Sequence, residues 1–427
     1  MTDSPSLFDL LLPKRNMKSK IKLIELFAGI GSQAKALKNL GIAFDHHKVC
    51  EIDKYAIKSY NAIHNTSFET NDITKLNYKD LEIENTDEID YIMTYSFPCQ
   101  DLSLAGNRKG MEKGNNTRSG LLWQVERLLT ECNENKCLPQ ILLMENVRQV
   151  ITAKGWHDWC AFLEKIGYSN YCEILNGTDF GIPQNRERAF MISILGEYSY
   201  SMPKQLKLEL ILKDMLEKQV DEKYFLSDKM IEYITANNEK WTGNNKSSLI
   251  NKTIASTINT GEGQRRCDAS NYICENLPNN FDLKIHKSLR ETLETNNIED
   301  GSVVDCYNRT IKNSGIINTI TTRCDASNNL YIVVPEKTIK TSVDDGGAVV
   351  NNISHLRIRK LTPKECYRLM GFDDEDCDKA SKVNSNAQLY KQAGNSIIVH
   401  VLMAIFGELF NIDYTSKIKE NLKKYKE

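Results

Sequence analysis

Between residues 20 and 175, short apolar runs alternate with amphipathic stretches, and this alternation constrains the fold more than any other feature of the chain. The runs at 22–27, 43–50, 89–95, 140–144 and 171–175 have the length and apolar content of buried strands. The stretches at 33–40, 55–63, 120–131 and 156–166 read as helices. Strand followed by helix, repeated, predicts an α/β domain built on a mostly parallel sheet. In such sheets ligands sit beyond the carboxyl ends of the strands.

The texture changes near residue 197. From there to about 357 the chain is rich in Asn, Thr, Ser and Lys, with short strand-like runs and no helical alternation. This predicts a second, smaller domain, loop-rich and mainly β. It contains an internal echo: Arg266-Cys267-Asp268-Ala269-Ser270-Asn271 returns 57 residues on as Arg323-Cys324-Asp325-Ala326-Ser327-Asn328, each copy after a Thr-Ile strand. Either a turn has been repeated by duplication, or the two arginines reach a ligand. From Leu361 the chain turns helical again and ends in a basic tail over 417–426. Residues 1–18 form a polar tail with an apolar knot at 7–12, expected to dock as a short helix.

At 427 residues, with 41% hydrophobic and 26% charged side chains, the chain can bury a sizeable core. No run approaches about 18 consecutive apolar residues, and Met1-Thr2-Asp3-Ser4 lacks a basic leader, so neither membrane insertion nor secretion is expected. The 12 cysteines are scattered with no C-x-x-C pair, as expected of reduced cytosolic thiols and not of a disulfide frame or zinc site. No metal is expected. The 55 basic and 57 acidic residues nearly cancel, which leaves nucleic acid open, since binding needs only a local basic face.

Several residues carry chemistry. Phe27-Ala28-Gly29-Ile30-Gly31-Ser32 places a glycine turn between a strand and a helix, where a ligand can approach the backbone. Ala34 stands where a dinucleotide fingerprint needs its third glycine. Glu51 ends the second strand, and Asp72 lies in the connection to the third. Together with the turn, they suit an adenosine-bearing ligand without a pyrophosphate; singly, each acid would read as a solvated surface group. Pro98-Cys99-Gln100 follows the third strand, where a cysteine held by proline can serve as a nucleophile. Alone it would more often be a small buried hydrophobe. Glu145-Asn146-Val147 puts an acid at another strand end, a position that also suits a helix cap. Gln184-Asn185-Arg186-Glu187-Arg188 sets two arginines on one side of an extended segment.

In order and wording this set resembles the C5-cytosine DNA methyltransferase family. Arg359-Lys360-Leu361-Thr362-Pro363-Lys364-Glu365 and Gly394-Asn395-Ser396 extend the resemblance, which covers about 20–195 and 355–410. The wording around the motifs, with Thr117-Arg118-Ser119-Gly120-Leu121-Leu122-Trp123, looks most like bacterial CpG methylases. The resemblance implies a Rossmann-like methyltransferase domain over 19–197 and 358–427, interrupted by a target-recognition domain over 198–357. It implies S-adenosyl-L-methionine as cofactor, held by Phe27, Ala28, Gly29, Gly31, Glu51, Ile52, Asp72, Pro98, Asn395 and Ser396. Ile52 stands where the family often has a large aromatic. Cys99 would attack C6 of a flipped cytosine, Glu145 would bind N3 and the exocyclic amine, Arg188 the base carbonyl, and Arg186 would support that pocket. Double-stranded DNA would be met by Gln100, Ser103 and Arg118, with the glycine-bearing loop over 100–118 closing as a lid, and by Arg266 and Arg323 in the middle domain.

The resemblance implies a cytoplasmic bacterial or phage enzyme, expected to be monomeric, with a separately encoded restriction endonuclease as an optional partner. A tRNA-methylating branch shares the catalytic motifs, but the long middle segment speaks for a reader of DNA sequence. A non-catalytic relative should have lost Cys99, Glu145 or the arginines, and all are present.

Overall fold

The computed structural model describes residues 12–98, 118–225, 271–276, 303–305, 310–312, 317–318, 331–332 and 356–425. Six strands make the central sheet: β1 (Lys20–Leu26), β2 (Asp45–Cys50), β3 (Ile89–Tyr95), β4 (Ile141–Val147), β5 (Tyr168–Asn176) and β7 (Glu187–Leu195), in the order β2-β1-β3-β4-β7-β5. β2, β1, β3 and β4 pair in parallel, and β7 runs antiparallel to both β4 and β5. Five of the six strands therefore share one direction, as the alternating pattern predicts. The reversed strand was not among the predicted elements. Its direction follows from the short connection after β5, a single turn over Gly177–Phe180 and the two-residue β6 (Gln184–Asn185). A parallel return would need a crossover of a dozen residues or more.

Alternate side chains of each strand enter opposite cores. Leu23, Ile92, Leu143 and Ile192 face one layer, which holds α1 (Ser32–Leu40). Leu26, Met93, Leu142 and Met191 face the other, filled by α3 (Leu122–Glu134) and α4 (Trp156–Lys165). α2 (Lys54–His64) follows β2 and seals the edge through Ile57 and Tyr60.

The first layer also receives the C-terminal helices. These are α5 (Pro363–Leu369), α6 (Asp374–Ser381), α7 (Asn386–Asn395), α8 (Val399–Phe410) and α9 (Tyr414–Lys423). Leu361, just before them, and their residues Tyr367, Leu389, Leu402, Phe406 and Ile418 share one core with β1 and α1. Residues about 340 positions apart thus share a single core. The stretch Asn386–Phe410 is long and apolar enough to cross a membrane by length and composition, which the count of consecutive apolar residues did not register. It is mostly buried within this core and broken between α7 and α8.

Residues 12–18 lie along the body: the Arg15 guanidinium pairs with buried Asp90 at 2.6 Å, and Lys18 N–H donates to the same carboxylate at 2.8 Å. Tyr200, Leu210, Leu212 and Met215 also join the first core. Farther on, β8 (Asn271–Asn276), β9 (Val303–Asp305), β10 (Thr310–Lys312), β12 (Tyr331–Ile332) and β13 (Leu356–Lys360) form a second sheet, antiparallel throughout. β11 (Ile317–Asn318) pairs with β6. Beyond residue 225 the described residues of the middle segment are strands, as expected from its texture.

Candidate active site

The carboxyl ends of β1, β2, β3 and β4 lie side by side, and each presents a residue singled out in the sequence. At the end of β1 the backbone turns sharply: Phe27, Gly29 and Gly31 all have positive φ, at 59°, 58° and 80°. The turn is closed by Gly31 N–H donating to Ala28 O at 3.0 Å, and Ala28 N–H reaches Cys50 O at 3.2 Å. The two glycines serve different ends. A Cβ on Gly29 would meet nothing within 4 Å, so that backbone lies open to a ligand. A Cβ on Gly31 would strike the His64 imidazole at 2.3 Å and the Tyr60 ring at 2.7 Å. Gly31 is therefore required for the packing of α2 under the turn.

Glu51, just past β2, accepts from Gly29 N–H through Oε2 and from Asp53 N–H through Oε1, both at 2.9 Å. Burial raises its pKa, and the two N–H groups oppose that shift. Its backbone carbonyl accepts Asn71 N–H at 2.9 Å, which brings Asp72 to the same rim. Asp72 accepts from both the N–H and the hydroxyl of Thr74, and these bonds lower its pKa. Between the acids stands Ile52, 70% exposed. Lys391 of α7 reaches Asp53 at 2.7 Å across this rim.

At β3 and β4 a buried acid meets a guanidinium. Glu145 is 8% exposed, and Arg188 Nε lies 3.3 Å from its Oε1. Burial pushes the Glu145 pKa up, while Arg188 and Arg186 pull it down. Asn146, which had been given no role, donates from Nδ2 to Phe97 O at 2.9 Å. It thereby ties the chain just before Pro98 to the strand that carries Glu145. Cys99, Gln100 and Ser103 lie outside the described residues, as do Arg266 and Arg323; Arg118 opens a short turn over Arg118–Leu121.

Arg186 is 5% exposed and donates from Nη2 to Gly394 O at 3.0 Å and Ser396 O at 2.8 Å. These carbonyls sit at the C-terminal end of α7, where helical carbonyls lack intrahelical partners. Asn395 between them is exposed. Ser396 is buried and turns its hydroxyl back to Gln392 O at 2.7 Å. Its neighbour Ile397 donates its N–H to Ser32 Oγ at 3.2 Å, so the α7–α8 corner rests on the first turn of α1. Ser32 and Gln392 were not read as site residues. Nothing local marks them, because their partners are distant in sequence.

A family model described as C-5 cytosine-specific DNA methylase matches residues 21–411. The chain belongs to that family. It is similar to the orphan methyltransferase M.SPRI of Bacillus phage SPR, with 30% identity covering 94% of this chain and all of that protein. The type II methyltransferase M2.ScrFI of Lactococcus lactis subsp. cremoris is 29% identical over 91% of this chain and 99% of its own length. In fold, the chain is similar to the crystal structure of the S. pombe Dnmt2 methyltransferase, with a TM-score of 0.58, 19% identity, and coverage of 91% of this chain and 98% of that one.

The methyl donor of this methylase family is S-adenosyl-L-methionine, and the residues at the strand ends fit it. Glu51 is an oriented carboxylate suited to two ribose hydroxyls, Ile52 offers an exposed apolar face to a purine, and the open backbone at Gly29 admits the ligand without a clash.

Proposed function

We propose that this C5-cytosine methylase flips a cytosine out of duplex DNA and adds Cys99 to C6 of the ring. Cytosine C5 is too poor a nucleophile to take a methyl group unaided; addition of a thiolate at C6 moves electron density to C5. Glu145, with its pKa raised by burial, hydrogen-bonds or protonates N3 and binds the exocyclic amine, stabilising charge as it develops. Arg188 contacts the base carbonyl. When bound, the cofactor supplies an electrophilic sulfonium methyl to C5. Loss of the C5 proton and of Cys99 then frees the product.

The observation that carries this reading is the Glu145–Arg188 pair at 3.3 Å beside the Phe97 carbonyl held by Asn146. It sets an acid with a raised pKa and a guanidinium next to the segment that leads into Pro98 and Cys99. Glu51 and Asp72 hold the adenosine, while Asn395 reaches the methionine end. The part of 198–357 beyond the residues packed on the body reads the DNA sequence, and the enzyme acts as a cytoplasmic monomer. Bisulfite sequencing of DNA from a host expressing the chain tests the reading. Protected cytosines confined to one short sequence are expected; uniform conversion would refute it.

A further inference from the structure

We propose that Arg186 is a positioning residue that couples cofactor binding to base binding, by fixing the corner between α7 and α8 from the same strand segment that presents Arg188 to Glu145. The proposal rests on the reading above and goes beyond it, because support of the base pocket alone does not involve the C-terminal helices.

Three facts on the structure lead there. Arg186 joins β6 to β7, two residues before Arg188 at the start of β7. Arg188 meets Glu145 at 3.3 Å, whereas Arg186 Nη2 holds Gly394 O and Ser396 O at 3.0 and 2.8 Å. The corner so gripped continues to Ile397, whose N–H rests on Ser32 Oγ at the start of the helix that follows the glycine turn. A guanidinium is suited to the task. It is planar, always charged, and placed here on carbonyls at the negative end of a helix. Its backbone is also fixed, since Arg186 N–H donates to Asn176 Oδ1 at 2.9 Å.

The consequence is mechanical. A displacement of Arg188 as it closes with Glu145 on a base is carried by the 186–188 segment. Through Arg186 it reaches the Gly394–Ile397 corner, with exposed Asn395 within it, and then Ser32. Two ligands that each favour the same placement of one shared segment bind cooperatively, and the coupling is reciprocal. Arg186 need not touch either ligand.

The test uses the full-length enzyme once bisulfite sequencing has established that it methylates, so that failure of the functional reading is seen separately. S-adenosylhomocysteine affinity is titrated with and without a duplex carrying the methylated target site. In the wild type the duplex should tighten binding by about fivefold or more, the usual lower range for coupled sites. In Arg186→Ala the ratio should fall towards one, and Arg186→Lys, which keeps the charge and can reach one carbonyl, should restore part of it. A ratio unchanged in Arg186→Ala, or a wild type with no coupling, overturns the proposal. So does an equal loss of affinity with and without DNA, which is what a purely structural role gives. If Arg186→Ala does not fold, the ratio in Arg186→Lys alone decides: reduced coupling supports the proposal, and full coupling overturns it.

Discussion

The backbone N–H of Ile397 donates to Ser32 Oγ at 3.2 Å, joining the first turn of α1 to a corner 365 residues away in sequence. Both groups are buried. Ser32→Ala leaves the Ile397 N–H without this acceptor, and an unmet buried donor costs about 1–3 kcal/mol. The expected outcome is a lower midpoint in urea unfolding and a raised KM for S-adenosylmethionine, with KM for DNA changed less. An unchanged midpoint would show that the contact contributes nothing.

Cys99→Ser should abolish turnover and fail to trap duplex DNA that carries 5-fluorocytosine at the target position. Asn146→Ala, which frees the Phe97 carbonyl, should retain trapping but slow it about tenfold or more by loosening the segment that precedes Cys99. Denaturing gels of the covalent complex read both variants. Normal trapping by the serine variant would mean that another residue attacks.

Glu51→Ala should weaken S-adenosylmethionine by about 1–3 kcal/mol, the range for a lost bond to a charged group. At saturating cofactor the single-turnover methylation rate should be close to wild type, because the role proposed for Glu51 is to hold the ribose and not the reacting atoms. Asp72→Ala should behave likewise. Calorimetry that shows unchanged affinity in Glu51→Ala would remove the acid from the site.

Glu25 gives a pH dependence with a definite sign. Buried in β1, it has its pKa raised from 4.5 to about 7 by burial, against the Tyr60 hydroxyl at 2.5 Å and the backbone of Ala34. His46 Nδ1 lies 2.8 Å from the same hydroxyl. The unfolded chain ionises Glu25 near 4.5 while the folded chain holds the proton until about 7. Stability from this group is therefore fully present below 4.5 and is lost as pH rises through 7. Glu25→Gln, which keeps an acceptor for Tyr60, should gain about 1–3 kcal/mol on wild type at pH 8 and much less at pH 5. Urea titrations at the two pH values check this, and an equal effect at both would refute it.

Arg266→Ala and Arg323→Ala separate the two readings of the echoed motif. Loss of a base-reading arginine should relax preference for the matched site over a one-base variant by about 1–3 kcal/mol. Loss of a phosphate contact should weaken all duplexes alike and flatten the salt dependence. Wild-type rates on every duplex for both variants would make the motif a structural turn.

Sequence alone determined the parts that rest on local chemistry. The apolar runs at 22–27 and 140–144 marked the strands, because a strand covered on both faces is apolar along its length. The glycine turn, Glu51 and the Glu145-Asn146-Val147 phrase were legible because such chemistry needs given residue types at strand ends. Only the tertiary structure decided how those ends are joined. The sequence does not distinguish Gly29, which is open to a ligand, from Gly31, which yields to His64 and Tyr60, since both are simply glycine. Neither does it show that Arg186 grips the end of α7 while Arg188 faces Glu145. Nor does it place Ser396 with its hydroxyl turned inward and Asn395 exposed. A hydrogen bond between residues hundreds of positions apart leaves no period and no spacing in the chain. It exists only once burial of α1 and α8 in one core has brought the two backbones together.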